Sequence, residues 1–334
     1  MGLYVGGQKV GRTKTVTIPP IEIPREVDGN GVYSSNGVTS FKLPSDATDI
    51  GGYVMYQSFQ ECPSLTSVDL SSLTTVSGSQ AMSSAFRKCT SLTSLDLSAL
   101  TTVSGGEAMR TAFNGCTSLT SLDLSSLTTV SGEEAMSSTF GDCTSLTSLD
   151  LSSLITVSGY SAMSSAFLDC TSLTSVDLSS LTTVPGSYAM ASTFSGCSSL
   201  TSLDLSSLQT IGINSLGNNV SHFNYAFEDC TRLTSLSFPE LTAIYCTGSA
   251  STSNGTFYYN NKIQKMYFPK LTTITYSTGA SSSYQGACKY IFSNCSSLTE
   301  LHFGAANQAA IEASPGYSTA WGRGAGNVTI YFDL

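Results

Sequence analysis

The chain has 334 residues, 40% of them hydrophobic and 11% charged, with 14 Lys and Arg against 23 Asp and Glu and a formal net charge of −9. That balance lacks the clustered cations a nucleic-acid binder needs, and regularly spaced apolar residues argue against disorder. No apolar run approaches the roughly 20 residues of a membrane span, and the start MGLYVGGQKVGRT has no hydrophobic core of the kind a secretion signal carries.

Residues 1–37 read as an N-terminal flank and cap. From there one unit recurs. Val38, Leu65, Leu92, Leu119, Leu146, Leu173 and Leu200 open successive units at steps of 27, and Leu233, Ile263, Leu298 and Val328 continue at steps of 33, 30, 35 and 30. A fixed period in this range is the mark of a solenoid, in which each unit buries its apolar face on its neighbours. The solenoid is expected over 38–303, followed by a C-terminal cap over 304–334 that ends in a strand.

Within a unit, Leu92, Leu95 and Leu97 and then Leu100 and Val103 make two short β-compatible runs that stack coil on coil as parallel ladders. In GGEAMRTAFNGC, Ala108 and Ala112, like Met109 and Phe113, stand four apart, a spacing that predicts a helical turn facing the core. Gly105 and Gly106 suit the bend before it. The predicted fold is an α/β solenoid of about 10–11 coils of 27–35 residues, each strand, short strand, helical turn.

The pattern A-F-x-x-C-x-S-L-T-x-[VL]-D-L-x-x-L-T-x-[IV]-x-G, read here from Ala85 to Gly105, resembles the BspA-type leucine-rich repeats of bacterial surface and host-interaction proteins. The resemblance spans roughly residues 38–303. It implies a right-handed leucine-rich repeat solenoid with a non-catalytic adhesion or recognition role, at a cell surface. The flanks GLYVGGQKVGRT and AIEASPGYSTAWGRGAGNVTIYFDL resemble those of repeat proteins in phages and prophages of gut bacteria, which implies a place in a phage particle instead.

Ten cysteines raise the question of disulfides or metal. Cys62, Cys89, Cys116, Cys143, Cys170 and Cys197 recur every 27 residues, and Cys230 and Cys295 hold the same slot in longer units. With no C-x-x-C pair and two histidines, zinc spacing is absent. A column of small buried thiols is expected. Cys288 falls in the slot of Met82 and Met109, and Cys246 is the expected exposed thiol.

Asp69, Asp96, Asp123, Asp150, Asp177 and Asp204 form an outward row about 4.8 Å apart, each neighbour repelling by roughly 0.8 kcal/mol in water. A solvated acidic stripe is expected, with calcium as the lesser alternative. Acid–base chemistry needs carboxylates in distinct environments, and a repeated row offers six alike. His222 takes the slot of Ala81, and His302 follows a core Leu301. No phosphate-binding glycine loop or nucleophile motif accompanies them. A non-enzyme without cofactor is expected.

From the second-strand leucine to the cysteine slot an ordinary unit takes 16 residues, as from Leu73 to Cys89. Leu208 to Cys230 takes 22, Leu241 to Asn260 takes 19 and Leu271 to Cys295 takes 24. The added text, GINSLGNNVSH, YCTGSASTSNGT and YSTGASSSYQGACKY, is rich in Tyr, Ser, Gly and Asn, as binding loops are. Phe223, Phe227, Phe257 and Phe292 hold core slots, whereas Tyr225, Tyr245, Tyr258, Tyr259, Tyr276, Tyr284 and Tyr290 hold none. These seven are the candidate contacts for an unidentified protein or glycan partner. Repeat decay, with tyrosines shielding the solenoid side, stands as the alternative. Two roles remain open: recognition or adhesion, and a structural spacer or tail-fibre component of a phage or prophage.

Overall fold

In each L-x-L run, alternation sends the leucines inward and the serine and aspartate outward. The computed structural model describes residues 26–27, 33–34, 38–52, 54–212, 222–246, 256–276, 291–315, 317 and 328–334. In it, first strands such as Ser67–Asp69, Ser94–Asp96 and Ser121–Asp123 stack in three consecutive parallel sheets of three, four and four strands. Second strands from Asp49–Ile50 to Thr273–Tyr276 make one nine-stranded sheet. The register sets Ser on Ser, Leu on Leu and Asp on Asp. This is a parallel-strand solenoid of about nine complete coils, fewer than the 10–11 expected. The count falls short because Glu300–Phe303 leads into a 3-10 turn at Ala305–Asn307 and a helix at Gln308–Glu312, and among the described residues no second strand follows it. Val328 is not an opener either. Thr329 pairs with Glu300 and Ile330 with Leu301, so Val328 lies one residue past that slot.

The third segment of each coil is not the predicted helical turn. From Gln80 to Lys88, alternate N–H groups bond in two directions. Those of Met82, Ser84, Phe86 and Lys88 reach the carbonyls of Ala108, Arg110, Ala112 and Asn114 on the next coil at 2.7–2.8 Å. Those of Ala85 and Arg87 turn back to Met82 and Ser84, three residues earlier in the same coil. Every fourth residue sits in the left-handed region, with φ of 52°, 56° and 58° at Gln80, Ser84 and Lys88. The physical reason is width. Strands stack at about 4.8 Å, while a helix with its side chains is about 10 Å across. A ribbon of paired turns keeps the strand spacing on this side too. Its repeat of four residues still sends Met82 and Phe86 to the core, where both are fully buried.

The core is built of columns. The rings of Phe59, Phe86, Phe113, Phe140, Phe167 and Phe194 stack at 5.1–5.7 Å and within 6° of parallel. The cysteine column is as expected: Cys62, Cys89, Cys116, Cys143, Cys170, Cys197, Cys230 and Cys295 are all buried. From Cys89 onward these thiols also bond. Each donates to the carbonyl of a phenylalanine on the preceding coil, as Cys89 does to Phe59 at 3.1 Å and Cys116 to Phe86 at 3.3 Å.

One dislocation interrupts this order. Met82 bonds the residue eight before the next cysteine slot, whereas Phe223, in the Met82 position, bonds Thr256, four before Asn260. Coil 256–260 is therefore displaced by four residues. Phe257 accordingly stacks on Phe223 at 5.9 Å and continues the methionine column. The shift leaves Phe227 N–H without a backbone carbonyl opposite, and the Asn260 amide replaces it. Its Oδ1 accepts from Phe227 N–H at 2.8 Å, and its Nδ2 donates to the carbonyls of Phe223 and Phe257 at 3.2 and 2.9 Å. Asn261 Oδ1 accepts the N–H of Asp229 at 3.2 Å in the same way. Where the old aromatic column ends a new one begins. Phe238, Phe268 and Phe303 take the slot held by Leu70 and Leu97 and stack at 5.2 and 5.6 Å.

Two predictions follow from the ribbon. Ser138, at φ 52°, should accept glycine with a gain of roughly 0.5–1 kcal/mol, because glycine escapes the left-handed penalty. At the adjacent Ser137, outside that region, the same change should cost roughly 0.5–1 kcal/mol. Urea denaturation of the two variants checks the opposite signs. Asn260→Cys, although it restores the repeat, should destabilise by about 1–3 kcal/mol, since a thiol leaves Phe227 N–H unpaired. An unchanged denaturation midpoint would refute the capping role.

Candidate functional site

The first-strand face carries two outward rows. One runs Ser67 to Ser235 and then Lys265, Glu300 and Thr329. The other runs Lys42, Asp69 and on to Asp204, then Ser237, Tyr267, His302 and Tyr331. Each aspartate is tied to its own turn: Oδ1 accepts the N–H of the serine two residues on, at 2.8–3.0 Å from Asp69 to Asp204. Asp69 also pairs with Lys42, and the Lys42 ammonium followed by Ser71 holds its carboxyl at about 2. Hydrogen bonds from Ser125 hold Asp123 low in the same manner. Among the described residues no group of three His, Cys, Asp or Glu side chains is placed to hold a metal ion. The face forms an open groove of about 960 Å³, lined by Ser121, Asp123, Asp150, Asp177, Asp204 and Pro239 among others.

Beyond Ser237 the aspartate row turns aromatic. The His302 ring lies between Tyr267 and Tyr331, at centroid distances of 4.7 and 4.6 Å and angles of 21° and 10°. Its Nε2 faces Glu300 Oε2 at 3.1 Å and its Nδ1 faces Asp333 Oδ1 at 3.0 Å. Lys265 Nζ joins Glu300 at 3.0 Å, and His302 and then Lys265 lower the Glu300 carboxyl. Tyr331 stays 38% exposed. This wall was missed from sequence. Four residues after each opener lies the aspartate slot, which would have found Tyr267; the one-residue error at Val328 concealed Tyr331.

Of the seven candidate tyrosines, the dislocation brings three together. Tyr225 contacts Tyr258 edge-on at 5.2 Å and Tyr259 at 5.1 Å, and Tyr258 contacts Tyr259 at 5.7 Å. In the regular register Tyr225 would oppose a residue four positions before Tyr258. Tyr258 is only 8% exposed and its hydroxyl accepts from Asn294 Nδ2 at 3.0 Å, so it serves the packing as well. Burial, then Tyr258, pushes Tyr225 up to about 12. Tyr245 lies apart, on the second ladder opposite Thr275. Tyr276 ends that ladder opposite Cys246, and the side chains of both lie outside the described residues. Tyr284, Tyr290, Cys288 and the insertions at 213–221, 247–255 and 277–290 also lie outside them.

His222 is completely buried. Its Nδ1 lies 2.7 Å from the Gly186 carbonyl, which can only accept, so Nδ1 carries the proton and Nε2 is left without a partner among the described residues. Burial lowers its pKa to about 4. Among the described residues no helix is long and apolar enough to cross a membrane.

The family model for the BspA type leucine rich repeat region (6 copies) matches at residues 25–139, 110–223, 192–285 and 223–314. Among solved structures the chain is similar to a leucine rich cell surface protein from Faecalibacterium prausnitzii, at 17% identity over 82% of each chain with a TM-score of 0.24. It is also similar to an internalin from Listeria monocytogenes, at 13% identity over 75% of this chain and 83% of that one, TM-score 0.27. Drosophila Toll, in its complex with Spatzle, gives 14% identity over 80% and 40%, TM-score 0.28. A search of curated proteins finds no match.

The buried titratable groups set a pH window. The unfolded chain takes up a proton that buried His222 refuses, so stability should fall as pH drops from about 6.5 toward 4. His222→Ala, the residue of Ala81 in this slot, should flatten that limb. Burial pushes Cys116, Cys230 and Cys295 up to about 12. These neutral thiols stabilise the fold below the ordinary thiol value of about 8.5, and the contribution is lost as pH rises toward 12. Melting temperature across pH 4–12, with His222→Ala as control, checks both limbs.

Proposed function

We propose, from the premise that the chain belongs to the BspA type leucine-rich repeat family, that it is a non-enzymatic recognition protein whose first-strand face receives a protein or glycan partner. Fold and family are those of binding scaffolds, and the family supports an interaction or adhesion role. The observation that carries the reading is the open groove over the serine and aspartate rows, which leads in register to the ring of Tyr267. Repeated carboxylates at strand spacing offer hydrogen bonds to a long ligand, and the Tyr267–His302–Tyr331 wall offers apolar area at one end. The Tyr225, Tyr258 and Tyr259 cluster is a second contact region on the ribbon side, with the C-terminal insertions beside it in sequence. A spacer role, as in a tail or fibre, is the other reading. It is favoured by the near-identical coils from Leu65 to Cys197, whose parallel rings repeat without change.

The test replaces Asp150 and Tyr267 with serine, the residue that Ser237 supplies in the same row, and applies wild type and variant to a glycan array and a pull-down. The variant should keep its melting temperature and lose binding about tenfold or more, the scale of an interface hot spot. Undiminished binding that Tyr259→Ala abolishes would move the contact to the ribbon cluster. No ligand on either assay would leave the spacer reading.

A further inference from the structure

We propose that Tyr160, Tyr188 and Glu133 form a separate contact site that takes a lysine or arginine side chain from a protein partner. The site lies where the second strand passes into the turn ribbon, away from the first-strand face, and does not depend on the reading given for that face. Ten residues before successive cysteines stand Ser79, Gly106, Glu133, Tyr160 and Ser187; nine before stand Gln80, Glu107, Glu134, Ser161 and Tyr188. Serine and glycine satisfy the fold at these positions, so packing does not call for an aromatic. Tyr160 is nevertheless 50% exposed, and Tyr188 holds its bulky side chain at φ 54°, a conformation that costs a non-glycine residue about 1–2 kcal/mol. The ribbon imposes the left-handed slot on every coil, so what requires another reason is the choice of bulky aromatics at these two positions.

The two rings meet edge to face, with centroids 5.9 Å apart and an angle of 71°. An edge-on pair leaves an aromatic face open to solvent, and such a face attracts a cation. The coil beside it supplies the counter-charge. Glu134 N–H donates to the Tyr160 carbonyl at 2.8 Å, which sets Glu133 next to Tyr160 in the stack. Glu134 itself is engaged by Arg110 Nε at 3.0 Å, and Arg110 also holds Glu107 at 3.2 Å. Glu133 is exposed and has no ion pair among the described residues. A ring face beside an uncompensated carboxylate complements a guanidinium or ammonium group. It is a poor match for an anionic ligand, and the chain's net charge of −9 draws a basic partner to it. The planar guanidinium, which stacks on the ring while it bonds the carboxylate, is the better fit of the two.

The probe is a short peptide carrying two arginines, titrated against protein with isotope-labelled tyrosines; the same peptide with citrulline is the uncharged control. Ring signals assigned to Tyr160 and Tyr188 should shift in a saturable way with the arginine peptide, and about tenfold more weakly with citrulline. Tyr160→Ser and Glu133→Gly place in these slots residues that other coils already carry, so each should keep the melting temperature. Each should weaken binding about fivefold, whereas Tyr160→Phe should retain it. Equal shifts with citrulline, or arginine binding undiminished in Tyr160→Ser, would overturn the proposal and reduce the effect to a general attraction for an acidic surface.

Discussion

The rise from one coil to the next is set by strand hydrogen bonds, and the rest of the molecule obeys it. Two of the three sides of each coil are strands, so neighbours must sit at strand spacing there. A helix on the third side would force the coils to a spacing of about 10 Å there and bend the stack. The ribbon of paired turns avoids this by sending every other N–H across to the next coil. It accepts left-handed residues at Gln80, Ser84 and Lys88 and at their equivalents in later coils, and gains a third hydrogen-bonded wall in return. Phenylalanine rings 5.1–5.7 Å apart record the same spacing in the core. The cysteine slot follows from it as well, since a small donor there meets a carbonyl of the coil before.

The same constraint explains why change is concentrated in the later coils. A stack of this kind admits a shift only in whole steps of the ribbon, which are four residues long. The shift at Asn260 is one such step, and two asparagine side chains satisfy the N–H groups it exposes. Leucine is enlarged to phenylalanine at Phe238, Phe268 and Phe303, whose fully buried rings stack in a column of their own beside Phe257. The tyrosine cluster is then a product of the shift, because it brings Tyr258 and Tyr259 beside Tyr225. Asn260, which reads in isolation as a lost cysteine, is the residue on which the rearrangement turns.

Much of this was legible in the sequence. The 27-residue period, the two ladders and the thiol column all follow from spacing that only one arrangement satisfies. The helical turn was misread because a separation of four suits both a helix at 3.6 residues per turn and a ribbon that repeats every four. What separates them is the coil spacing, a property of the stack and not of any one coil. The aromatic wall escaped for a related reason: Tyr267, His302 and Tyr331 lie 35 and 29 residues apart, and their common row appears only once the strand pairing is known. Of the seven tyrosines chosen for lacking a core slot, Tyr225, Tyr258 and Tyr259 converge, while Tyr245 belongs to the other ladder. Lack of a slot marks a residue as unneeded by the repeat but does not say where it lies.

In a stack of copied coils each position answers either to the core or to nothing. Leu92, Phe86 and Cys89 cannot vary without disturbing the coils above and below, and their equivalents scarcely do. Outward slots are free, so copying alone would leave them uniform, as the serine and aspartate rows are. A bulky outward residue among small neighbours therefore carries information that a buried one does not. Tyr160 among Ser79, Gly106 and Ser187 is such a case, and so is Tyr267 one step beyond Ser237. Neither is explained by the packing of its own coil, and both present ring area to a surface that is otherwise polar and acidic. The physical argument for recognition rests on these departures more than on the repeat, whose regularity accounts for the scaffold and leaves the exposed aromatics to be explained by what they touch.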